Sequence, residues 1–344
     1  MTYNGKSILF ISPRFFNYEK YITNALQSLG AKVDFFDERP SNSPLVKGLI
    51  RVKRELYQHQ INKYYKGLMQ KINGKKYDFF LLIKGETLPA FFLQYLKDIN
   101  AEIVSIYYTY DGFENNKNAQ SILSHFERKF TFDARDAKDY GLLFRPLFFI
   151  EDYLTVDKNV PQDAYDLAFI GTAHSDRYVI SEQINYWCTN NGLKYFAYYF
   201  SPGKMVLRFR KLFDKTSRDF NFKKIATKSL KLGELIDLYN NAKCVLDIQH
   251  PNQTGLTMRT FEVLASGRKL VTTNADVKKY VFYHPNNIFV IDRNALTMEK
   301  SFFSQPFMPL PDEMLHRMSL RGWLDCLFLN QSEAHYWYGK SPIS

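Results

Sequence analysis

The segment 242–274 constrains the fold of this chain more than any other. It begins with a short apolar run that contains β-branched residues, which is typical of a buried strand. A polar loop with Pro, Asn and Gly follows, then a segment of helical periodicity that ends at Gly267, and then a second apolar run. These four parts are residues 243–248, 249–255, 256–266 and 269–273. A strand, loop, helix and strand within about thirty residues is the size of a parallel βαβ unit.

The loop and the helix start of such a unit face the binding crevice of a parallel sheet. Backbone N–H groups there, together with the positive end of the helix dipole, favour an anion. Gly255 permits close approach of a ligand, and Arg259 and Glu262 lie on one face of the helix. The pattern therefore predicts an anion site. The alternative is an ordinary amphipathic crossover helix in which Glu262 is merely solvated.

Similar alternation of apolar runs and helical periodicity extends along the whole chain and predicts an α/β protein. Strands are predicted at 7–12, 31–36, 77–83, 102–107, 130–132, 165–170, 193–200 and 287–291, and helices at 15–29, 45–73, 87–96, 230–241 and 314–329. No G-x-G-x-x-G motif follows the first strand, so the sequence does not support a dinucleotide cofactor. Charged residues that directly follow strands of the first half are candidate site residues, because these strand ends form the crevice: Arg14, Asp37, Glu86, Asp111, Asp133 and Arg145.

The length of 344 residues predicts about two domains. We expect them at 1–155 and 163–318, joined by a linker within 151–164, with a C-terminal helical segment at 319–344. The absence of an eighteen-residue apolar run and of a signal-peptide pattern predicts a cytoplasmic protein. Three cysteines, far apart in the sequence, indicate neither a disulfide framework nor a zinc site.

The net charge of +11 is concentrated in two segments. Residues 46–76 contain nine Lys or Arg and one acid, and residues 203–231 contain ten and two, so each segment carries +8 and the rest of the chain −5. An anionic membrane surface, a lipid diphosphate or a nucleic acid would each be attracted to such segments. The alternative is that both are solvated helix faces and loops.

The helix of the segment 242–274 contains a run of residues that resembles a known family. Residues 255–267 form the run G-L-T-M-R-T-F-E-V-L-A-S-G. This run resembles the pattern G-L-x-M-R-x-F-E-x-L-A-x-G in the donor-binding segment of GT-B glycosyltransferases, especially bacterial transferases for lipopolysaccharide and capsule and spore-protein-like transferases of family 1/4 type. The resemblance implies two Rossmann-like domains facing across a cleft, with the helix in 319–344 crossing back toward the first domain.

The resemblance also implies a donor site in the second half. In the family, a Glu at the position of Glu262 binds the nucleotide ribose, and a Glu at the position of Thr254 meets the donor sugar. The Thr here departs from that pattern and leaves the stereochemistry of transfer open. The run F-I-G-T…R at 169–177 also resembles the family, where the Gly turn and the Arg approach the donor diphosphate. Two loop residues, Gln249 and His250, suit phosphate or sugar contacts. The predicted donor site therefore comprises Gly171, Thr172, Arg177, Gln249, His250, Thr254, Gly255, Leu256, Thr257, Arg259 and Glu262. His174, in the loop between the Thr and the Arg, is a further candidate.

Two segments of the first half resemble the same transferases more weakly. A D-x-x-x-N pattern falls on Asp111 and Asn115, and a later F-D pattern ends at Asp133. We predict that Arg14, Asn115 and Asp133 contact the acceptor. Aromatic residues near the same strand ends are placed to stack on a sugar or a lipid: Phe15, Phe16 and Tyr110.

Transfer with inversion of configuration needs a base for the acceptor hydroxyl. We favour Asp111 and then Glu86 for this role, since both follow predicted strands, and His250 is a third catalytic candidate. Each carboxylate is alternatively a helix N-cap. If the reaction retains configuration, no such base is required and Asp111 becomes an acceptor contact.

The implied activity is metal-independent transfer of a sugar from a nucleotide-sugar to a cell-surface glycan or lipid-linked acceptor. No metal or other cofactor is expected, because no D-x-D stands at a strand end. Peripheral attachment to the inner face of an anionic membrane would use 46–76 and 203–231. Three alternatives stay open: a nucleotide-sugar-binding protein without turnover, a sugar-nucleotide epimerase and a nucleic-acid-binding protein. No nucleic-acid partner is expected, since no recognition motif is present.

Overall fold

The structure is a computed structural model that describes residues 2–113, 116–173, 176–201, 203, 220–250 and 254–338, with backbone only at 44, 51 and 52. The chain forms two compact units. Unit 1 contains residues 1–146 and 320–337, and unit 2 contains residues 147–319 and 338–344. No helix of the described residues is both long enough and apolar enough to span a membrane.

Unit 1 is built on a sheet of six parallel strands. They are β1 (Ser7–Ser12), β2 (Lys32–Asp37), β3 (Phe79–Ile83), β4 (Val104–Thr109), β5 (Arg128–Thr131) and β6 (Leu143–Phe144). Their order is β2-β1-β3-β4-β5-β6, so the direction of winding reverses between β1 and β3. Every residue of β3 is buried, as expected for a central strand covered by helices on both faces.

The helices of unit 1 cover this sheet. They are Tyr18–Ser28, Pro44–Lys53, Gln58–Ile72, Ala90–Ile99, Lys117–Ile122, Ala134–Tyr140 and Leu320–Phe328, with 3₁₀ turns at Arg54–Tyr57, Leu123–His125 and Gln331–His335. The last of these helices is fixed by Trp323, whose ring meets Tyr108 of β4 edge to face at 4.8 Å. Arg128 of β5 adds a hydrogen bond to the carbonyl oxygen of Phe328 at 2.6 Å.

The single helix predicted at 45–73 is wrong, because a 3₁₀ turn at Arg54–Tyr57 divides it into two. Arg54 donates to the carbonyl oxygen of Thr87 at 3.3 Å. In the second helix, the hydroxyls of Tyr64 and Tyr65 donate to the main chain just after β2. These contacts align the second helix with the sheet rather than with the first helix.

Unit 2 contains a second sheet of six parallel strands. They are β7 (Tyr165–Thr172), β8 (Tyr195–Phe200), β9 (Ile225–Ala226), β10 (Ala242–Asp247), β11 (Lys269–Thr272) and β12 (Ile288–Val290). The order β12-β11-β10-β7-β8-β9 is that of a Rossmann fold, with the reversal between β7 and β10. The helices are Arg177–Asn190, Leu232–Asn240, Met258–Ala265, Lys300–Ser304 and Asp312–Met318, with 3₁₀ turns at Glu151–Thr155, Phe222–Lys224 and Ala275–Lys279.

The unit boundaries differ from the predicted domain boundaries. Unit 2 begins at Leu147 rather than after 155, because the Phe149 N–H donates to the carbonyl oxygen of Met318 at 3.0 Å. The single helix predicted at 314–329 is wrong. It is two helices separated by Ser319, whose extended backbone pairs with Phe149. Ser319 is therefore the point at which the chain leaves unit 2.

Candidate functional site

The reversal of strand order in unit 2 places two loops side by side at the carboxyl ends of β7 and β10. Such a reversal is where open parallel sheets bind ligands. The loop after β7 carries Thr172 and leads to Arg177, and the loop after β10 carries Gln249 and His250 and leads to Gly255. The structure thus brings the predicted donor residues to one edge of one sheet.

The start of the helix Met258–Ala265 is held by two residues that the sequence analysis missed. The Thr257 hydroxyl donates to Asp247 Oδ2 at 2.7 Å, which ties the helix start to the end of β10. Asn274, just after β11, donates from Nδ2 to the carbonyl oxygen of Thr254 at 3.0 Å. Asp247 and Asn274 are both buried and both stand at strand ends, which is the signal that would have found them. Together they fix the loop that presents Gly255.

Arg259 joins the same helix to the strand on the other side of the reversal. Its guanidinium donates to the carbonyl oxygen of Ile170 in β7. Burial disfavours the charged form, but the nearby Tyr239, Glu262 and Asp247 outweigh it and raise the pKa of Arg259 above its ordinary value. The positive charge at this edge of the sheet is therefore permanent.

Arg177 is the first residue of the helix after β7, and its Nη1 donates to the Thr172 hydroxyl at 3.3 Å. Burial lowers the pKa of Arg177, and the nearby Arg259 and Arg293 lower it further, while Asp247 opposes them. Arg259 and Arg293 thus disfavour the charged form of Arg177, and an anionic ligand beside Arg177 would favour it.

Arg293 is a third arginine at this edge, and the sequence analysis missed it as well. It forms an ion pair with Asp176, and it donates to the carbonyl oxygen of Gln249 and to the Thr273 hydroxyl. It thereby links the start of the helix after β7 with the loop after β10. Its position shortly after β12 is the sequence signal that marks it.

The remaining predicted donor residues have different surroundings. Glu262 lies within the helix and is only 6% exposed. Leu256 is buried, so the main chain is the part of this residue that a ligand can reach. Gly171 has a packing role, because a Cβ there would lie 2.6 Å from the ring of Phe169. His250 is exposed, and His174 lies outside the described residues.

In unit 1, four charged residues form a chain at the carboxyl ends of β2, β3 and β4. Glu86 accepts from Arg39 Nε at 2.8 Å, and its other oxygen lies 3.6 Å from Lys84 Nζ. The same Nζ lies 2.7 Å from Asp111 Oδ2. The Asp111 side chain is 49% exposed whereas that of Glu86 is 14% exposed. Of the two predicted bases, Asp111 is thus the accessible one.

The residues predicted to contact the acceptor are not equivalent. Arg14 is exposed, and its Nε lies 3.4 Å from Asp37 Oδ2. Asp133 is buried and caps the helix Ala134–Tyr140, accepting from the Arg135 N–H at 2.9 Å. Asp133 is thus a helix N-cap, the alternative that was raised for Asp111 and Glu86 rather than for Asp133. Asn115 lies outside the described residues.

Beneath the charged chain lies Glu38, a carboxyl group that the sequence analysis did not single out. It is completely buried, and one of its oxygens accepts from the Thr87 N–H at 2.7 Å. Burial raises the pKa of Glu38 to about 7. Among the described residues, no group of three or more His, Cys, Asp or Glu side chains is arranged to hold a metal ion.

Comparison with solved structures identifies the fold. Anabaena HepE in complex with UDP and glucose matches with a TM-score of 0.56 and 10% identity, over 96% of this chain and 98% of the other. OtsA matches with a TM-score of 0.58 and 11% identity, over 93% and 98%. The lipopolysaccharide outer core galactosyltransferase WaaB matches with a TM-score of 0.50 and 10% identity, over 96% and 99%.

These matches span nearly the whole chain and therefore both units. The fold is therefore the GT-B fold of glycosyltransferases, which confirms the fold class that the sequence resemblance implied. The chain matches no protein-family model and no curated protein sequence.

Proposed function

We propose that this protein is a glycosyltransferase that moves a sugar from a nucleotide-sugar to an acceptor hydroxyl. The observation that carries the proposal is the strand-order reversal of unit 2, where the helix that begins after Gly255 carries Arg259 and Glu262 beside the end of β7. The helix start and the permanently charged Arg259 suit the diphosphate of a nucleotide. The buried carboxylate of Glu262 suits the ribose hydroxyls. The bound UDP and glucose of the HepE structure agree with this ligand class.

The proposed donor contacts follow from these positions. The N–H groups of residues 255–257 bind the diphosphate, with Arg177 and Arg259 supplying charge. Hydrogen bonds to charged groups of this kind contribute roughly 1.5–3 kcal/mol each. Glu262 accepts from the ribose hydroxyls, and the side chains at 249, 250 and 254 contact the sugar.

The charge of the leaving nucleoside diphosphate is, in this proposal, stabilised by the arginines and the helix start, without a metal ion. Fixed donors of this kind are already oriented before the reaction begins. The test is the rate of transfer after exhaustive treatment with EDTA. An unchanged rate supports the proposal, whereas a loss that Mg²⁺ or Mn²⁺ restores contradicts it.

For the acceptor, we propose Asp111 as the base of an inverting reaction. Its carboxylate takes the proton of the acceptor hydroxyl while the hydroxyl oxygen bonds to the anomeric carbon. At the same time, the bond from that carbon to the diphosphate breaks. Lys84 holds the carboxylate through the contact of 2.7 Å, and Glu86, engaged with Arg39 and Lys84, serves as their anchor rather than as the base.

We also propose that the acceptor is lipid-linked and that the protein docks on an anionic membrane. Leu45, in the helix Pro44–Lys53, and Leu56, in the 3₁₀ turn after that helix, are 87% and 66% exposed. Six exposed lysines lie in or after the same helix and turn: Lys53, Lys63, Lys66, Lys71, Lys75 and Lys76. Each basic side chain near an anionic bilayer contributes about 1 kcal/mol, so several give reversible docking. Most of the second basic segment, 203–231, lies outside the described residues.

A thermal-shift screen tests the donor site. Uridine, guanosine, cytidine, adenosine and thymidine diphosphates are added to the wild type, to Glu262→Gln and to Glu313→Gln, a control on an exposed helix surface. A nucleotide at about a hundred times its Kd stabilises the fold by about 2.7 kcal/mol. We expect one of these nucleotides to stabilise the wild type and the Glu313→Gln control but not Glu262→Gln. Equal shifts in all three proteins, or none, would contradict the site.

A further inference from the structure

The strand order of unit 1 reverses between β1 and β3, and an unusual loop leaves the sheet there. This loop, 13–17, joins β1 to the helix Tyr18–Ser28 and contains two consecutive phenylalanines. Crevices at such reversals bind ligands in open parallel sheets. The loop is thus a candidate site on a different unit from the donor site.

Three aromatic side chains contact one another at this point, the exposed Phe15 and Phe16 and the half-buried Tyr110, and we call them the aromatic shelf. The ring of Phe15 stacks on that of Tyr110, with centroids 5.7 Å apart and planes at 22°. Phe16 meets Phe15 edge to face at 4.6 Å. Phe15 and Phe16 are 47% and 59% exposed, so this apolar surface is not used in the core of unit 1.

The backbone of the shelf is held in a conformation that phenylalanine disfavours. Phe16 has φ 49° and Asn17 has φ 63°, both in the left-handed region. For a bulky side chain this region is strained, and such strain persists where the surroundings enforce it. Here the Phe15 N–H donates to the buried Glu19 at 3.2 Å, and the Tyr18 N–H donates to the Phe15 carbonyl oxygen at 3.0 Å. The chain therefore keeps Phe16 exposed where glycine would fit with less strain.

Charged residues adjoin the shelf in the chain. Arg14 precedes it and pairs with Asp37, and Asp111 follows Tyr110 and pairs with Lys84. An exposed apolar surface with hydrogen-bonding side chains next to it in sequence suits a sugar ring, which has a C–H face and hydroxyl edges. A lipid chain offers these charged groups no hydrogen-bond partner and would remove them from water, which is costly.

We propose that the aromatic shelf binds a pyranose ring of the acceptor, which packs against the exposed rings of Phe15 and Phe16, with Asp111 and Arg14 contacting its hydroxyl groups. The role of this sugar as acceptor rests on the glycosyltransferase function proposed above. The placement beside Asp111 explains how a sugar hydroxyl reaches the proposed base. It also explains why a strained phenylalanine is kept on the surface.

The test is an NMR titration that measures Kd for methyl β-D-galactopyranoside, methyl β-D-glucopyranoside and methyl α-D-mannopyranoside. The proteins are the wild type, Phe15→Ala, Phe16→Gly and two controls. Asn17→Gly relieves the same backbone strain without removing a ring, and Tyr186→Ala removes an exposed ring from unit 2. Thermal unfolding of each variant shows whether it is folded. Phe16→Gly is expected to unfold at or above the temperature of the wild type, so its binding result reports on the ring alone.

At least one glycoside is expected to bind the wild type and both controls, with Kd about tenfold weaker in Phe15→Ala and Phe16→Gly, as for the loss of a stacking contact. No binding to the wild type, or equal binding by all variants, would overturn the proposal. Phe15-dependent binding of dihexanoyl phosphatidylglycerol in place of the glycosides would overturn it in favour of a lipid.

Nucleotide binding in the same samples separates the two claims. If nucleotides bind and glycosides do not, only the sugar-binding role of the aromatic shelf is contradicted. If glycosides bind and no nucleotide does, the proposed glycosyltransferase function is contradicted.

Discussion

Lys84 Nζ lies 2.7 Å from Asp111 Oδ2, and Lys84 itself has φ 82°, in the left-handed region. A non-glycine residue in this conformation is strained, and such strain is concentrated at functional sites. The strained residue is thus the one that holds the proposed base. Its tie to Glu86, and through Glu86 to Arg39, limits how far Asp111 can move.

We predict that Asp111→Asn lowers the rate of transfer by about 10²–10⁴-fold, the usual contribution of a general base. Nucleotide binding should be unchanged, since the proposed donor site lies in unit 2. The measurement is kcat with the donor that the nucleotide screen identifies, beside nucleotide Kd.

The control for this prediction is Asp139→Asn, an exposed aspartate of the same unit that follows no strand. It should transfer at the rate of the wild type. Full activity in Asp111→Asn would show that the reaction needs no base at this position, as in transfer with retention.

Removal of the guanidinium that joins the helix Met258–Ala265 to β7 should destabilise the protein. Arg259→Met leaves the carbonyl oxygen of Ile170 buried without its donor, and we expect a loss of roughly 1.5–3 kcal/mol in the free energy of unfolding. Urea denaturation measures it. Glu313→Gln, which breaks an ion pair at an exposed carboxylate, should cost less than about 1 kcal/mol. Equal losses in both variants would contradict the structural role of Arg259.

The buried Glu38 predicts a pH dependence of stability. Burial raises the pKa of Glu38 to about 7 from its ordinary value of 4.5, so the folded state binds a proton more tightly than the unfolded state between these pH values. The contribution of Glu38 to stability is therefore fully present below about pH 4.5 and declines as the pH rises to 7. A pKa shift of this size corresponds to about 3 kcal/mol in the free energy of unfolding.

Glu38→Gln, which keeps an oxygen for the Thr87 N–H, should remove that decline. We expect the variant to be more stable than the wild type at pH 8 and similar to it at pH 5, by urea denaturation at both values. Glu55→Gln, on an exposed site of the same unit, is the control and should follow the wild type. A variant less stable than the wild type at pH 8 would refute the buried-acid explanation.

Membrane docking by the helix Pro44–Lys53 and the 3₁₀ turn after it predicts a dependence on two leucines. Leu45→Asp with Leu56→Asp should reduce cosedimentation with phosphatidylglycerol vesicles, because each change removes exposed apolar surface and adds negative charge. Leu154→Asp, an exposed leucine of unit 2, should have no effect. Equal binding to phosphatidylcholine vesicles, or no loss in the double variant, would argue against docking by this helix.

The strands were more predictable than the helices. Ser7–Ser12 was predicted with the observed bounds, because a compact buried run of this kind has few alternatives. The helices at 45–73 and 314–329 were each predicted as one and are two. The breaks depend on tertiary contacts, such as Arg54 with Thr87 and Phe149 with Ser319, which local periodicity does not encode.

The candidate site was predictable where it lies next to a strand in sequence. The positions of Arg177 and Gly255 followed from strand ends and from the family resemblance. Arg293, Asn274 and Lys84 also follow strands, but they were missed because their roles depend on contacts with residues that are distant in sequence. Glycine and helix-start patterns mark where a ligand can approach, but they do not show which side chains hold the loops in place.

The most direct test of the central claim is turnover of a nucleotide-sugar. The sugar donors of whichever nucleotide the screen identifies are incubated with the wild type, Glu262→Gln and Glu313→Gln, with bacterial membrane lipid as the source of acceptor. Release of nucleoside diphosphate and transfer of radiolabelled sugar to the lipid are measured. The account predicts both for the wild type and for Glu313→Gln, and neither for Glu262→Gln. Nucleotide binding by the wild type with no release and no transfer would contradict it and would show a binding protein with a transferase fold.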